Sequence, residues 1–401
     1  MILKEFLEDV SPKNSLLKTM YRTIYEHGPI SRADILEKVK AKQTTVARFI
    51  EELLENGFIQ ERGLGKSSGG RPPVLYHIDT TKGYIIGVDL SRSHTKILLF
   101  DLAFNQIDAS SVIMTFAHTP EQVFSYIIEV IARFMTKHGF TVDELLGIGV
   151  GSVGPLNREK GIILQPEAFL APGWKNIDVA ALLCKAYPVR IMLENGANTA
   201  ALGEYTYAKV PYKNVLYCIS GAGLRCGMIA NGQIMHMRSG DANAYGHTVI
   251  QVDGLRCSCG NQGCLAAYVS FGYIIEEVKR KAGFSASSLL QDGQNKDSLS
   301  IYQIIRAANE GDHVANEVLM KSAYYYGVGI ANLVNSLHPE LVIVNSAIVY
   351  EVPSYYAKIV ETASQYIYGT EREDTKFSPG LLQSNAAATG AAIMIFQSFL
   401  Q

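Results

Sequence analysis

The chain has 401 residues, with 36 basic and 38 acidic side chains and a formal net charge of −2. That length predicts two or three domains, and the near-neutral charge excludes a global pull on nucleic acid, so any such binding must come from a local patch. No apolar run approaches 18 residues and Met1–Asp9 is charged too early for a secretory signal, which predicts a soluble cytoplasmic protein without a membrane partner.

From Asn14 the apolar positions Leu16, Leu17, Met20, Tyr21, Ile24 and Tyr25 follow helical spacing, and the pattern stops at His27-Gly28-Pro29. Ser31-Arg-Ala-Asp34 has the form of a capping box with Asp in place of Glu, opening a short helix through Val39. A third helix over Lys42–Asn56 keeps Val46, Phe49, Ile50, Leu53 and Leu54 on one face and ends at Gly57. Three helices with a short connection between the second and third form a helix-turn-helix pattern. The third presents Lys42, Gln43, Thr44, Thr45 and Arg48 away from its apolar face. Those side chains can contact base edges and phosphates of an operator in double-stranded DNA.

A helical packing module with a solvated face would share that pattern. The following residues favour DNA binding: Phe58–Arg62 and Val74–Ile78 read as two strands, joined by a Gly-rich basic loop that contains Lys66 and Arg71. Such a loop is a wing. Gly70-Arg71-Pro72 also resembles the core of an AT-hook, which slides an arginine into a narrow minor groove.

Beyond Gly83 the texture changes. Tyr84–Leu90 and Thr95–Asp101 read as buried strands, followed by further apolar runs at Leu146–Val150, Val189–Leu193, Val215–Ile219, Cys226–Ala230 and Leu341–Asn345. Helical stretches lie between them, including Gln122–Lys137 and Ala315–Leu337, so the body is expected to be α/β. Cys184, Cys218 and Cys226 are expected as core residues in a reducing compartment.

His247 and Cys257-Ser-Cys-Gly-Asn-Gln-Gly-Cys264 form the densest chemical constellation in the chain. Three thiols at C-x-C-x4-C spacing converge only in a tight knuckle, for which Gly260 and Gly263 supply turning freedom, and His247 is a ready fourth ligand. Cys257, Cys259, Cys264 and His247 suit a structural tetrahedral Zn²⁺ with no position left for a reactive water. Buried or redox-active cysteines are the competing reading, and disulfides explain the spacing less well.

Gly246-His247 with this knuckle resembles the zinc signature of the ROK family, which contains sugar kinases and transcriptional repressors. Gly149-Val-Gly-Ser-Val-Gly-Pro155, Gly173-Trp174, the Glu194–Glu204 segment, Gly221-Ala-Gly223 and Gly390-Ala391 follow the same family in the same order, so the resemblance covers essentially the full length. It implies a winged helix-turn-helix over residues 1–80, followed by a two-lobed α/β body of actin-like, hexokinase-like (ribonuclease H-like) fold. The first lobe is expected over 81–205 plus 385–401 and the second, with the knuckle, over 206–384.

The same resemblance locates departures from a kinase. Asp89-Leu-Ser-Arg-Ser-His-Thr95 lacks the glycine pair of a first phosphate loop, Arg225 stands where the second loop usually keeps glycine, and Asn345-Ser346 replaces Gly-Gly near the adenosine site. Phosphoryl transfer to a hydroxyl needs a carboxylate base, and the Asn-Asp of family kinases is here Asn195-Gly196. The chain is therefore expected not to be an enzyme. Asn195 and His247 remain as polar ligand contacts, while Phe169, Trp174 and Tyr245 are candidates to stack on the ring of a carbohydrate effector. The expected assembly is a homodimer or tetramer.

Overall fold

The computed structural model describes all residues except 1, 66–71, 167–168, 210, 238–243, 284–298 and 401. Apolar residues at three- and four-residue spacing bring the first helices together by their buried faces. A helix α1 (Leu3–Glu8), too short to show a period, precedes α2 (Pro12–His27), strand β1 (Ile30–Ser31), α3 (Arg32–Val39) and α4 (Gln43–Glu55). The hairpin β2 (Ile59–Leu64) and β3 (Val74–Ile78) follows, with β3 central between β1 and β2. The Asp34 amide donates to Ser31 Oγ at 3.2 Å, as the cap requires. The reciprocal bond differs from a capping box: the Ser31 hydroxyl donates to the Asp34 carboxylate at 2.7 Å.

The first lobe is built from β4 (Tyr84–Leu90), β5 (His94–Phe100), β6 (Gln106–Ile113), α5 (Pro120–His138), β7 (Leu145–Ser152), the short strands β8 (Leu156–Asn157), β9 (Ile162–Ile163) and β10 (Ile177–Asp178), α6 (Val179–Ala186), β11 (Arg190–Asn195) and α7 (Gly196–Tyr207). The second contains β12 (Val215–Ser220), β13 (Leu224–Ala230), β14 (Gln233–Ile234), α8 (Ala266–Val269), α9 (Phe271–Ala282), α10 (Ile301–Asn309), α11 (His313–Leu337), β15 (Leu341–Asn345), α12 (Ala347–Glu351), α13 (Pro353–Tyr366), α14 (Glu371–Asp374) and β16 (Lys376–Ser378). The chain closes on α15 (Ala386–Leu400).

The two large sheets repeat one design. Their orders are β6-β5-β4-β7-β11 and β14-β13-β12-β15-β16, each an antiparallel meander continued by two parallel strands. This duplication is the two-lobed fold expected from the sequence. Among the cysteines outside the knuckle, Cys218 is buried and Cys226 half-buried as its cross-strand neighbour, but Cys184 is exposed. The correction has a simple cause: α6 buries Val179 and Leu183 and leaves Cys184 on its other side.

Helices α7 and α15 join the lobes, and glycine makes their approach possible. A Cβ at Gly390 would lie 1.6 Å from the Thr199 carbonyl oxygen of α7, and one at Gly149 of β7 would lie 1.9 Å from that of Ala391. A Cβ at Gly227 of β13 would lie 2.1 Å from the Ala197 carbonyl oxygen, so α7 is pressed against the second sheet as closely as α15 against the first. Glu204, at the far end of α7, accepts the amides of Leu381 and Leu382 at 2.8 Å each, tying this helix to the return from the second lobe.

The head shares its core with the body. Phe6, Tyr21 and Phe58 belong to the same buried cluster as Ile85, Phe100 and Phe396, and Tyr25 meets Phe396 edge-on at 4.8 Å. Arg22 adds a bond to the Leu400 carbonyl at 3.2 Å. Gly390→Ala should destabilise the protein by roughly 3 kcal/mol or more, because backbone blocks the new methyl and the helix-propensity gain of about 1 kcal/mol is too small to offset it. Gly221→Ala, where a Cβ meets nothing within 4 Å, should stay within about 0.5 kcal/mol of wild type in the same thermal melts.

Candidate functional site

At the head, Val46, Phe49, Ile50 and Leu53 anchor α4 in the core and turn its first turn outward. Lys42, Gln43, Thr44 and Arg48 are exposed there and Thr45 is half-buried, so these five expected DNA contacts lie together. Arg32 of α3 donates to the Gln43 carbonyl at 3.3 Å, fixing the entry to the helix. Lys66 and Arg71 lie outside the described residues. The flanking strands β2 and β3 pair as far as Gly65, whose amide donates to the Pro73 carbonyl at 2.8 Å. Arg62, exposed on β2 near the base of this loop, is a further basic side chain that its strand position could have signalled.

The knuckle brings its four residues to one point. His247 Nδ1, or its other ring nitrogen, and the sulfurs of Cys257, Cys259 and Cys264 lie within 4.8 Å of one another. Gly260 and Gly263 have φ of +94° and +74°, so the turning freedom expected of them is used. Cys257 Sγ is 3.5 Å from His247 Nδ1, and Cys259 Sγ is 3.8 Å from Cys264 Sγ. A tetrahedral ion at about 2.3 Å from sulfur and about 2.0 Å from nitrogen requires edges of about 3.5 and 3.8 Å, which these two pairs match. Burial, reinforced by the adjoining thiols, pushes Cys264 up to about 12, an obstacle to three thiolates that a bound cation removes.

In the cleft, Asn195 ends β11 and caps α7, accepting the Ala197 amide at 3.0 Å. The preceding Glu194 is buried, yet its carboxylate is well supplied. One oxygen accepts the Asn195 amide at 2.7 Å and Asn198 Nδ2 at 3.0 Å; the other meets Arg158 Nη1 at 3.2 Å and lies 3.3 Å from His236 Nδ1. Arg158 Nη1 also contacts His236 Nδ1 at 2.8 Å. Sequence reasoning missed Arg158 and His236, and only the nearness of Arg158 to the Gly149–Pro155 motif offered a signal.

The three candidate stacking rings are placed differently from a shared platform. Trp174 is 5% exposed, lies at 4.2 Å and 14° against Phe169 in the first-lobe core, and donates through Nε1 to the His118 carbonyl at 3.2 Å. Tyr245 is 8% exposed in the second-lobe core. Apolar area explains this: the rings are worth more to the two cores than to solvent-facing walls.

The segments compared above with phosphate loops carry side-chain contacts. Arg92 reaches Gly223 of the opposite lobe, where a Cβ would lie 3.4 Å from Nη1. His94 Nε2 pairs with Asp89 at 2.9 Å, and Lys96 Nζ donates to Ser384 Oγ at 2.8 Å and Asn385 Oδ1 at 2.9 Å. At the end of β15, Asn345 Nδ2 donates to Tyr350 OH, which in turn donates to the Pro379 carbonyl at 3.0 Å.

Fold and sites together define a helix-turn-helix head joined to a two-lobed α/β body with a metal-competent knuckle. The chain belongs to the ROK family, whose model matches residues 85–398, while the MarR family model matches residues 21–62 in the head. It is similar to the xylose repressor of Caldicellulosiruptor bescii, with 29% identity over 96% of each chain. Its fold follows that of a ROK family transcriptional regulator homologous to the E. coli MLC protein, with TM-score 0.79 and 24% identity over 97% of this chain and 96% of that one. A ROK family glucokinase from Streptomyces griseus, in complex with glucose and AMPPNP, matches with TM-score 0.67 and 25% identity over 79% of this chain and 100% of the other. Among the described residues, no helix is long and apolar enough to cross a membrane.

Removing bound metal with a chelator, or replacing Cys259 by serine, should lower the melting temperature. With metal previously at a hundredfold excess over its Kd, the loss is about 3 kcal/mol. Metal analysis of the purified chain together with thermal melts checks this, and an unchanged melt in metal-free protein contradicts it.

Proposed function

We propose that the chain is a DNA-binding transcriptional repressor of carbohydrate-metabolism genes, controlled by a carbohydrate effector in a cleft without kinase chemistry. The observation that carries the reading is the polar first turn of α4, exposed on a head that shares one core with α15 of a ROK body. Likeness to a xylose repressor over 96% of both chains supports it. The domain limits read from the sequence, 1–80, 81–205 with 385–401, and 206–384, are retained in this proposal. So is a homodimer or tetramer, because two heads on a symmetric assembly match a pseudo-palindromic operator.

The effector acts by preferring one arrangement of the lobes, and α7 and α15 carry that preference to the heads. His247, Cys257, Cys259 and Cys264 hold a structural Zn²⁺, which supplies a fixed frame for the segment beginning at Gly246 and no chemistry of its own. Asn195 and His247 are the proposed polar effector contacts, with Phe169 at the half-buried margin of the first-lobe core; Trp174 and Tyr245 support from behind. Gly196 supports the absence of catalysis. A Cβ there meets nothing closer than 3.6 Å, so the backbone does not require glycine for space at that atom, and what the position lacks is a proton acceptor.

Anisotropy titrations of labelled DNA from upstream of the protein's own gene, with and without carbohydrate mixtures, test the reading; exclusively non-specific binding goes against it. Arg48→Ala should weaken specific binding by about 1–3 kcal/mol if it reads a base, or reduce the salt slope by about 1 if it contacts phosphate. Wild-type protein with ATP, magnesium and a sugar panel should produce no phosphorylated sugar above a blank, and accumulation of product overturns the non-enzymatic reading.

A further inference from the structure

We propose that Arg158 and His236 form a subsite for a vicinal hydroxyl pair of a neutral carbohydrate, bridging the two lobes beside Asn195. The inference rests on the effector reading above and specifies where and how that effector is recognised.

Geometry comes first. Both N–H bonds of Arg158 Nη1 are committed, one to the Glu194 carboxylate at 3.2 Å and one to His236 Nδ1 at 2.8 Å. Among the described residues nothing bonds to Nε or Nη2, and the side chain is 33% exposed. One edge of the guanidinium is thus locked while the Nε/Nη2 fork faces outward with its donors in a fixed plane. The lock itself is buried: the Glu194 side chain is only 3% exposed, and its other oxygen is saturated by the Asn195 amide and Asn198.

His236 adds a donor from the other lobe. Its contact with Arg158 is shorter than the 3.3 Å to Glu194, so Nδ1 is the acceptor and the ring proton belongs on Nε2. Burial, opposed by Glu194 and aided by Arg158, lowers its basicity, which agrees with a neutral ring. Its side chain is 41% exposed and Nε2–H has no partner among the described residues. Arg158 follows β8 of the first lobe and His236 follows β14 of the second, so a ligand bound by both joins the lobes in this arrangement.

Charge selects the ligand class. Glu194 neutralises Arg158 and His236 is neutral, so the subsite offers four N–H donors, two of them paired in the Nε/Nη2 fork, without net charge. An anionic ligand gains little Coulomb attraction and loses hydration on entry, whereas adjacent hydroxyl oxygens are acceptors at a spacing suited to a planar fork.

Titration calorimetry of the full-length protein with a panel of neutral mono- and disaccharides, a hexuronate and a sugar phosphate tests this. Arg158→Lys keeps a charge for Glu194 but removes the fork, and His236→Phe keeps a ring but removes the donor. Each should weaken the best neutral ligand by roughly 10- to 100-fold in variants whose thermal melts show a folded chain. Equal affinity in wild type and both variants overturns the subsite while leaving the effector reading intact. Tighter binding of the anionic sugars overturns the neutral class, and no binding of any sugar by wild type overturns subsite and effector reading together.

Discussion

The contact on which most of this structure depends is between two backbones. At Gly390 α15 comes so near the carbonyl of Thr199 that a single methyl group has no place, and α7 meets β13 with the same economy at Gly227. Close approach without side chains leaves no soft layer to absorb a displacement, since packed interiors respond to shifts as units. A movement of one sheet relative to the other must therefore rotate the α7–α15 pair. The pair also meets the two places of functional interest: α7 begins at Asn195 in the cleft, and α15 ends against Tyr25 and Arg22 of the head.

Glu194 extends this constraint into the cleft. A buried carboxylate is tolerated only when its hydrogen-bonding capacity is met, and here the donors come from the start of α7 and from Arg158 of the first lobe, which in turn bonds His236 of the second. The residue therefore senses both lobes before any ligand is considered. The knuckle plays a parallel part in the second lobe, where Gly263 packs so near the Gln251 carbonyl that a Cβ would lie 1.7 Å away. A metal held there would stabilise a loop segment whose Val249, Val252 and Leu255 are exposed and so contribute little to holding it.

Much of this was legible in the sequence because it rests on local patterns. The face of α4, the run Tyr84–Leu90 and the strand Val74–Ile78 follow from periodicity, and the knuckle follows from the spacing of its cysteines. What escaped depends on contacts between distant segments. Arg158 and His236 are 78 positions apart and neither carries a local signature. Trp174 was a stacking candidate because an aromatic residue after glycine can serve either a core or a ligand, and its packing against Phe169 carries no local signature. Cys184 was misplaced for the same reason: composition does not reveal which side of a short helix is buried.

The proposed loss of catalysis and the retention of the two-lobed frame need not have separate causes. Phosphoryl transfer requires a carboxylate where Gly196 stands and bare backbone around the phosphates, whereas a ligand-operated switch requires only that two lobe arrangements differ in affinity for a ligand. Arg92 near Gly223, Lys96 on Ser384 and Asn385, and Tyr350 on the Pro379 carbonyl supply contacts from the protein itself in the region where the proposal places no nucleotide. In the proposed reading, the rest of the cleft is the place where a small molecule alters the balance. A residue there that touches both lobes has more leverage on the heads than one that touches either alone, because its binding energy is realised only when the lobes are correctly placed.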